Sequence, residues 1–380
     1  MELGFGPRVR LSPFFSRAIS SGIEVASVYN HMVMPVASSD PEADYEALTE
    51  RVSIWDVGCQ RQVQVQGSDV IEFCSYLSAR NLSGLEIGTA KYAPLCDYQG
   101  YLINDPIVLR VAQDTVWLSI ADSDIGLWVR AIAGESGANV HVSEPDVSPL
   151  AIQGPRAEDT VADALGTWVR DLKLFQFKRT VCEDIPLVVC RSGWSKHGGF
   201  ELFLEDGSKG NDLWDLLWEA GDEYGIRVGA PNNRERIENF LLSHRSDTGN
   251  YLDPFESGIG QFVDLDSPHD FIGKNALIAK SGLPRLRELK GLFIDGAPMG
   301  PNHQPLRLET LEGDFVGQIR VLNYSPKFSQ NIGLAIIESP HNIAGVSLKF
   351  QSENGPRKAT VSDLPFKEAN AFKITMKERL

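Results

Sequence analysis

The sequence predicts an α+β protein that closes with a small all-β module. Period-two apolar runs and amphipathic helical stretches alternate up to Pro284, helix signals then nearly vanish, and short β runs with turn residues between them take over. In order, RQVQVQG at 61–67, YLINDPIVLRV at 101–111 and TVWLSIAD at 115–122 alternate as strands do. Between them, SDVIEFCSYLSAR at 68–80 and SDIGLWVRAIAGE at 123–135 each place a capping serine before apolar residues at helical spacing. RAEDTVADALG at 156–166 and NDLWDLLWEAGDEYG at 211–225 are amphipathic helices closed by glycine. Pro284 and the charged run RLRELK mark a boundary. Beyond it KGLFIDG, DFVGQIRVLNY, NIGLAIIES, AGVSLKFQ and RKATVSDLPF are spaced as in a barrel or sandwich of about a hundred residues. The expected domains are therefore 1–284 and 285–380.

Composition narrows the function classes. A chain of 380 residues with 42% hydrophobic content can fill two or three cores. No run approaches the roughly 20 apolar residues that span a bilayer, and MELGFGPRVRLSPFFSR lacks the apolar centre of a secretory signal, so a cytoplasmic protein without membrane partners is expected. A net charge of −15 without a basic patch argues against nucleic acid. The five cysteines (59, 74, 96, 182 and 190) form no CxxC pair and read as reduced thiols, and the seven histidines show no ligand spacing, so no metal is expected. Neither GxGxxG nor GxxxxGK[ST] occurs, which leaves nucleotide chemistry without an anchor.

The segment SGWSKHGGFELFLE at 192–205 ends one apolar strand in a glycine loop and begins another. Trp194 enters the loop, Gly198 and Gly199 let it turn, and Glu201 follows at the start of a strand. An aromatic face and a carboxylate around one turn suit a flat heterocycle carrying hydrogen-bond donors; a hairpin with a core Trp and a surface Glu is the other reading. Asp105, between Asn104 and Pro106, is out of place in a strand, and a half-buried carboxylate there calls for a structural or a ligand partner. Tyr92 precedes a strand, and a turn at Asp97–Gly100 reverses the chain into the strand that carries Asp105. Asp122, Ser123 and Asp124 stand between strand and helix, where N-capping accounts for all three. RERIENFLL at 234–242 reads as a solvated helix surface with i,i+4 charge pairs such as Arg234 and Glu238.

Together these segments resemble the folate-dependent aminomethyltransferases, the glycine-cleavage T-protein family. The resemblance runs through VYNHMVMP, SIWDVGCQRQVQVQG, LSARNLSG, KYAPLCDYQGYLINDP, WLSIADSD, PDVSPLAIQGP, RSGWSKHGGFELF, DPFESGIGQFVDLD, DFIGK, SPKFSQNIGLAII and DLPF, nearly the whole chain. It implies two interwoven N-terminal α+β subdomains and a C-terminal β-barrel around a central folate cavity. Tetrahydrofolate is the implied cofactor, with Asp105 as the central acidic residue and catalytic group, Tyr92 and Trp194 as pocket aromatics contacting folate and substrate, and Glu201 holding the donor edge of the pterin. The implied activity is methyl transfer from a small sulfonium to tetrahydrofolate; an N- or O-linked one-carbon donor, or folate binding without turnover, are the alternatives. A homodimer is left open. The chain reads APNN, with Asn232, where glycine-cleaving members carry GARD, and SIADSD where they carry an asparagine-bearing segment. Phe200 and Phe203 replace tyrosines of some sulfonium-demethylating members, which bears on the choice of donor.

Overall fold

The computed structural model describes residues 6–193, 195–231, 233–249 and 251–367. The chain forms two compact units. One comprises 6–95, Asn104–Pro231 and Ser267–Phe271; the other comprises Cys96–Ile103, 233–266 and 272–367.

The first unit is built on two sheets. A five-stranded antiparallel sheet runs in the order His141–Ser143, Gln62–Gln66, Thr115–Ser119, Ile107–Ala112, Ala90–Tyr92. A six-stranded sheet runs Phe177–Cys182, Ile185–Cys190, Gly199–Leu204, Ser148–Gln153, Ser53–Asp56, Arg227–Gly229, with only the last pair parallel. Alternation along Gly199–Leu204 explains its complete burial. Phe200, Leu202 and Leu204 pack with Leu213, Trp214 and Leu217 of helix Gly210–Gly221, while Phe203 faces Leu109, Trp117 and Val188. The Trp117 and Phe203 rings lie 6.3 Å apart. The two sheets thus face each other across an apolar layer.

The predicted helices form with adjusted ends. Helix Ala157–Leu165 stops at Gly166, and Gly210–Gly221 runs on through a 3₁₀ turn to Gly225 in the left-handed region. Neither helix Val70–Leu77 nor helix Ile125–Ser136 is capped by its serine or by any side-chain bond. Asp69 instead accepts hydrogen bonds from the Asn139 amide and the Ser68 hydroxyl, which ties the helix start to a neighbouring loop.

The second unit holds the all-β module, a closed barrel in the order Arg287–Ile294, Gln330–Glu338, Phe315–Ser325, Leu306–Glu309, Ser347–Ser352, Gly355–Ser362. Leu292, Ile319, Leu322, Ile337 and Phe350 fill its interior, as side chains must in so small a barrel. Helix Asn233–Asn239 covers the outside of Phe315–Ser325. It is not the solvated surface its sequence suggests: Glu235, Arg236 and Glu238 are all buried. Arg236 pairs with Asp247 at 2.6 Å, and Glu238 accepts a hydrogen bond from Ser325. All five cysteines are free thiols, four of them buried.

Candidate active site

Asp105 lies in the connection between Leu102–Asn104 and Ile107–Ala112, half-buried, where a strand interior would have left its carboxylate without water or donors. The Tyr92 hydroxyl donates to its Oδ2 at 2.9 Å. Tyr92 ends strand Ala90–Tyr92 opposite Ile107, and Arg80 fixes its carbonyl with a 2.9 Å hydrogen bond. Two residues that the sequence set apart are therefore one unit.

The neighbouring loop is held by two buried asparagines. Asn104 donates to the Ala121 carbonyl at 3.0 Å and to the Ser123 hydroxyl at 2.7 Å, and accepts from the Ala121 amide at 3.0 Å. Asn30 accepts from the Ser123 amide at 3.0 Å and donates to the carbonyls of Cys59 and Ile120. Its own amide donates to Asp122 at 2.9 Å. Asn30 can do this because it forms, with His31, the two-residue turn of hairpin Ile23–Tyr29 and Met32–Ser38, both at positive φ. N-capping therefore does not account for Asp122 and Ser123, which belong to this network.

Tyr29, one residue before that turn, was not distinguished in the sequence. The residue is partly exposed, but its phenol is pushed well above the usual range, first by removal from water and then by Cys59, Asp105 and Asp122. Its hydroxyl is thus within electrostatic reach of two carboxylates. The Cys59 thiol is held up by burial and by Asp56. Asp56 is itself pushed up to about 6 by burial, against the lowering effect of the Ser12 hydroxyl and the Gly58 amide.

Glu201 pairs across the sheet with Cys190 and lies two residues before Phe203, while Tyr92 lies two residues after Ala90. Ala90, Cys190 and Phe203 all belong to the apolar layer between the sheets, so Tyr92 and Glu201 stand on the two surfaces that face each other. Glu201 is 8% exposed, and burial raises its carboxyl above the ordinary range. The Ser192 hydroxyl beside it offsets part of that, from a position outside full hydrogen-bond geometry. Arg191 does not compensate Glu201: it pairs with Glu158 at 2.5 Å and lies over the Phe200 ring. Among the described residues no cation contributes to the Glu201 shift. Trp194 and Asn232 lie outside the described residues.

Phe200 and Phe203 are not equivalent. Phe200 points into the helix-side core, where a phenolic hydroxyl would meet apolar side chains; Phe203 shares the interlayer face with Glu201.

Two family models match the chain: the GCVT N-terminal domain over residues 17–267 and the glycine cleavage T-protein C-terminal barrel domain over 287–367. The chain belongs to the glycine cleavage T-protein family. Within the family it is 38% identical to the dimethylsulfoniopropionate demethylase DmdA of Ruegeria pomeroyi, over 94% of this chain and 97% of that one. It is 28% identical to an aminomethyltransferase of Bacillus cereus, over 88% and 91% of the two chains. The glycine cleavage system aminomethyltransferase T of Bartonella henselae superposes with a TM-score of 0.83 at 20% identity, covering 94% of this chain and 98% of that one, so the family fold extends through both units. Among the described residues no helix is long and apolar enough to cross a membrane.

Proposed function

We propose that the protein transfers a methyl group from a sulfonium donor, dimethylsulfoniopropionate or a close relative, to tetrahydrofolate. The observation that carries the reading is the Tyr92–Asp105 pair, whose tyrosine stands on the same interlayer space as the buried carboxyl of Glu201, which no cation among the described residues offsets. The similarity to the Ruegeria demethylase supports it.

The residues fit a reduced pterin. A buried carboxyl such as Glu201 is costly unless donors approach it, and the amino and ring N–H groups of a pterin edge are such donors. Tetrahydrofolate, when bound, would supply the ring nitrogen that takes the methyl group and gives up its proton to solvent, while the sulfur–carbon bond breaks with its electron pair left on sulfur to give a thioether. Glu201 holds the pterin edge, and Asp105, oriented by Tyr92, stabilises positive charge that develops beside it. Asp105 and Asp122 make the surroundings of Tyr29 negative, which suits a cationic donor, and a cation over a phenol ring gains about 0.5 to 2 kcal/mol. Sulfonium needs little acid assistance in leaving. Alignment is therefore the main contribution asked of the protein, worth on the order of 7 to 11 kcal/mol in well-oriented systems. Trp194 is assigned to the pocket wall, facing folate or substrate. The reading keeps residues 1–284 as the folate-binding part and 285–380 as the barrel, and places the protein in the cytoplasm; a sizing column tests for the homodimer.

The experiment is mass-spectrometric detection of methyltetrahydrofolate after incubation with tetrahydrofolate and dimethylsulfoniopropionate, beside N-methyl, O-methyl and aminomethyl donors. Product from the sulfonium alone is expected. Product only from an N- or O-linked donor, or folate binding with no product from any donor, would overturn it.

A further inference from the structure

A single side chain on the neighbouring strand clasps the loop at 192–199. Gln153, fully buried at the end of strand Ser148–Gln153, accepts from the Ser195 hydroxyl at 2.8 Å and from its amide at 3.4 Å. Its Nε2 donates, at 3.5 Å each, to the carbonyls of Ser192 and Phe200. Both ends and the middle of the loop thus meet at one amide. The space for it exists because Gly199, its partner across the sheet, has no side chain: a Cβ there would lie 2.5 Å from Gln153 Nε2 and 2.4 Å from the Ile152 carbonyl. The next residue adds a backbone tie, the Gly154 amide donating to the Gly198 carbonyl at 2.9 Å.

We infer that Gln153 is a positioning residue for folate: by holding Ser195 and the carbonyls of Ser192 and Phe200 it fixes the backbone on which Glu201 follows Phe200 and keeps that carboxyl presented to the pterin edge. This rests on the folate reading above. The effect runs through a neighbour, because the Gln153 amide uses its oxygen on Ser195 and its nitrogen on the carbonyls of Ser192 and Phe200. Phe200 is the link, since its carbonyl, one residue before Glu201, accepts from Gln153 Nε2, and the Ser192 hydroxyl at the other side of the loop adds a lowering effect on the Glu201 carboxyl against burial. Without the clasp, Glu201 takes up its proton at higher pH, and a protonated Glu201 accepts pterin donors less well.

The test compares wild type with Gln153→Met, which keeps the volume and removes the amide, and with Ser195→Ala, which removes one hydroxyl. Tetrahydrofolate affinity is measured by titration from pH 5 to 8, together with KM for each substrate, kcat and the melting midpoint. Loss of one net hydrogen bond corresponds to about tenfold in an equilibrium constant. Gln153→Met should weaken folate binding by roughly that factor, leave the KM of the methyl donor within about twofold, and move the acid limb of folate affinity to higher pH. Ser195→Ala should do the same to a smaller extent, and it decides the matter if Gln153→Met does not fold. Unchanged folate affinity and acid limb in both variants would overturn the inference, as would a loss in which both KM values, kcat and the melting midpoint fall together. Glu201→Gln separates the two levels: if wild type binds no folate, or Glu201→Gln binds it as well as wild type, the folate reading itself fails and this inference with it.

Discussion

The Tyr92 hydroxyl and the Asp105 carboxylate form one hydrogen-bonded unit at 2.9 Å, across 13 residues of sequence. A phenol donating to an aspartate fixes the direction of its lone pairs, which is what a group that must face a developing charge requires. Asp105→Asn keeps an acceptor for Tyr92 and loses the charge. The expected result is a drop in kcat of roughly a hundredfold or more, in the range of lost catalytic groups, with a melting midpoint near wild type. Tyr92→Phe should lower kcat/KM by about tenfold, the worth of one hydrogen bond to a charged, partly exposed group. Steady-state kinetics beside thermal melts check both, and a fall in stability equal to the fall in activity would make the pair structural.

How far this site was legible depends on the distance over which each residue acts. Asp105 was visible because a carboxylate in a strand pattern violates local preference, Glu201 because it follows a glycine loop entered by an aromatic residue, and Tyr92 because it lay close to Asp105 in sequence. Asn30 and Gln153 were not. Their side chains act on residues 93 and 42 positions away, and nothing local distinguishes such an amide from a solvated one. Asp122 and Ser123 were misread because good capping residues before a helix satisfy a local rule, while Asn30 and Asn104 had already engaged them. Helix Asn233–Asn239 was misread in the same way: i,i+4 charge spacing does not reveal that a barrel strand and Asp247 cover it. The barrel was the most legible element, because five short alternating runs have few other ways to bury one face each, although its sixth strand, Leu306–Glu309, is too short to show in the pattern.

Arg236 and Asp247 test that correction. Both are almost wholly buried and pair at 2.6 Å, and burial still leaves Asp247 raised, against the lowering effect of Arg236. Arg236→Met strands a carboxylate in the interior, at a cost of about 3 to 5 kcal/mol in urea unfolding. The double variant Arg236→Met with Asp247→Leu should recover much of this. A single variant with wild-type stability would mean that water reaches the pair.

Asp56 predicts a pH dependence. Its folded-state value of about 6 lies above the ordinary 3.8 because burial disfavours the charge. The folded state therefore binds a proton that the unfolded state has released, between about pH 4 and 6. The stabilisation is complete below the unfolded value and is lost as pH rises through 6, a difference of about 3 kcal/mol for this side chain alone. Asp56→Asn should flatten that part of the stability profile. Denaturation midpoints for both proteins at pH 4.5 and 7 check it, and parallel profiles would rule Asp56 out as the source.

Phe200 and Phe203 separate two consequences of the same substitution. Phe200 is wholly buried against the helix-side core, so Phe200→Tyr forces a hydroxyl among apolar side chains without a partner, costing about 1 to 3 kcal/mol. Donor preference should not change. Phe203→Tyr places its hydroxyl on the interlayer face, on the same side of the strand as Glu201 two residues away. It should cost stability in the same way, but should also change the ratio of kcat/KM among methyl donors. Competition between dimethylsulfoniopropionate and an N-methyl donor measures that ratio. If Phe200→Tyr shifts the ratio and Phe203→Tyr does not, the face assigned to Glu201 is wrong, because strand alternation would then put the ligand on the helix side.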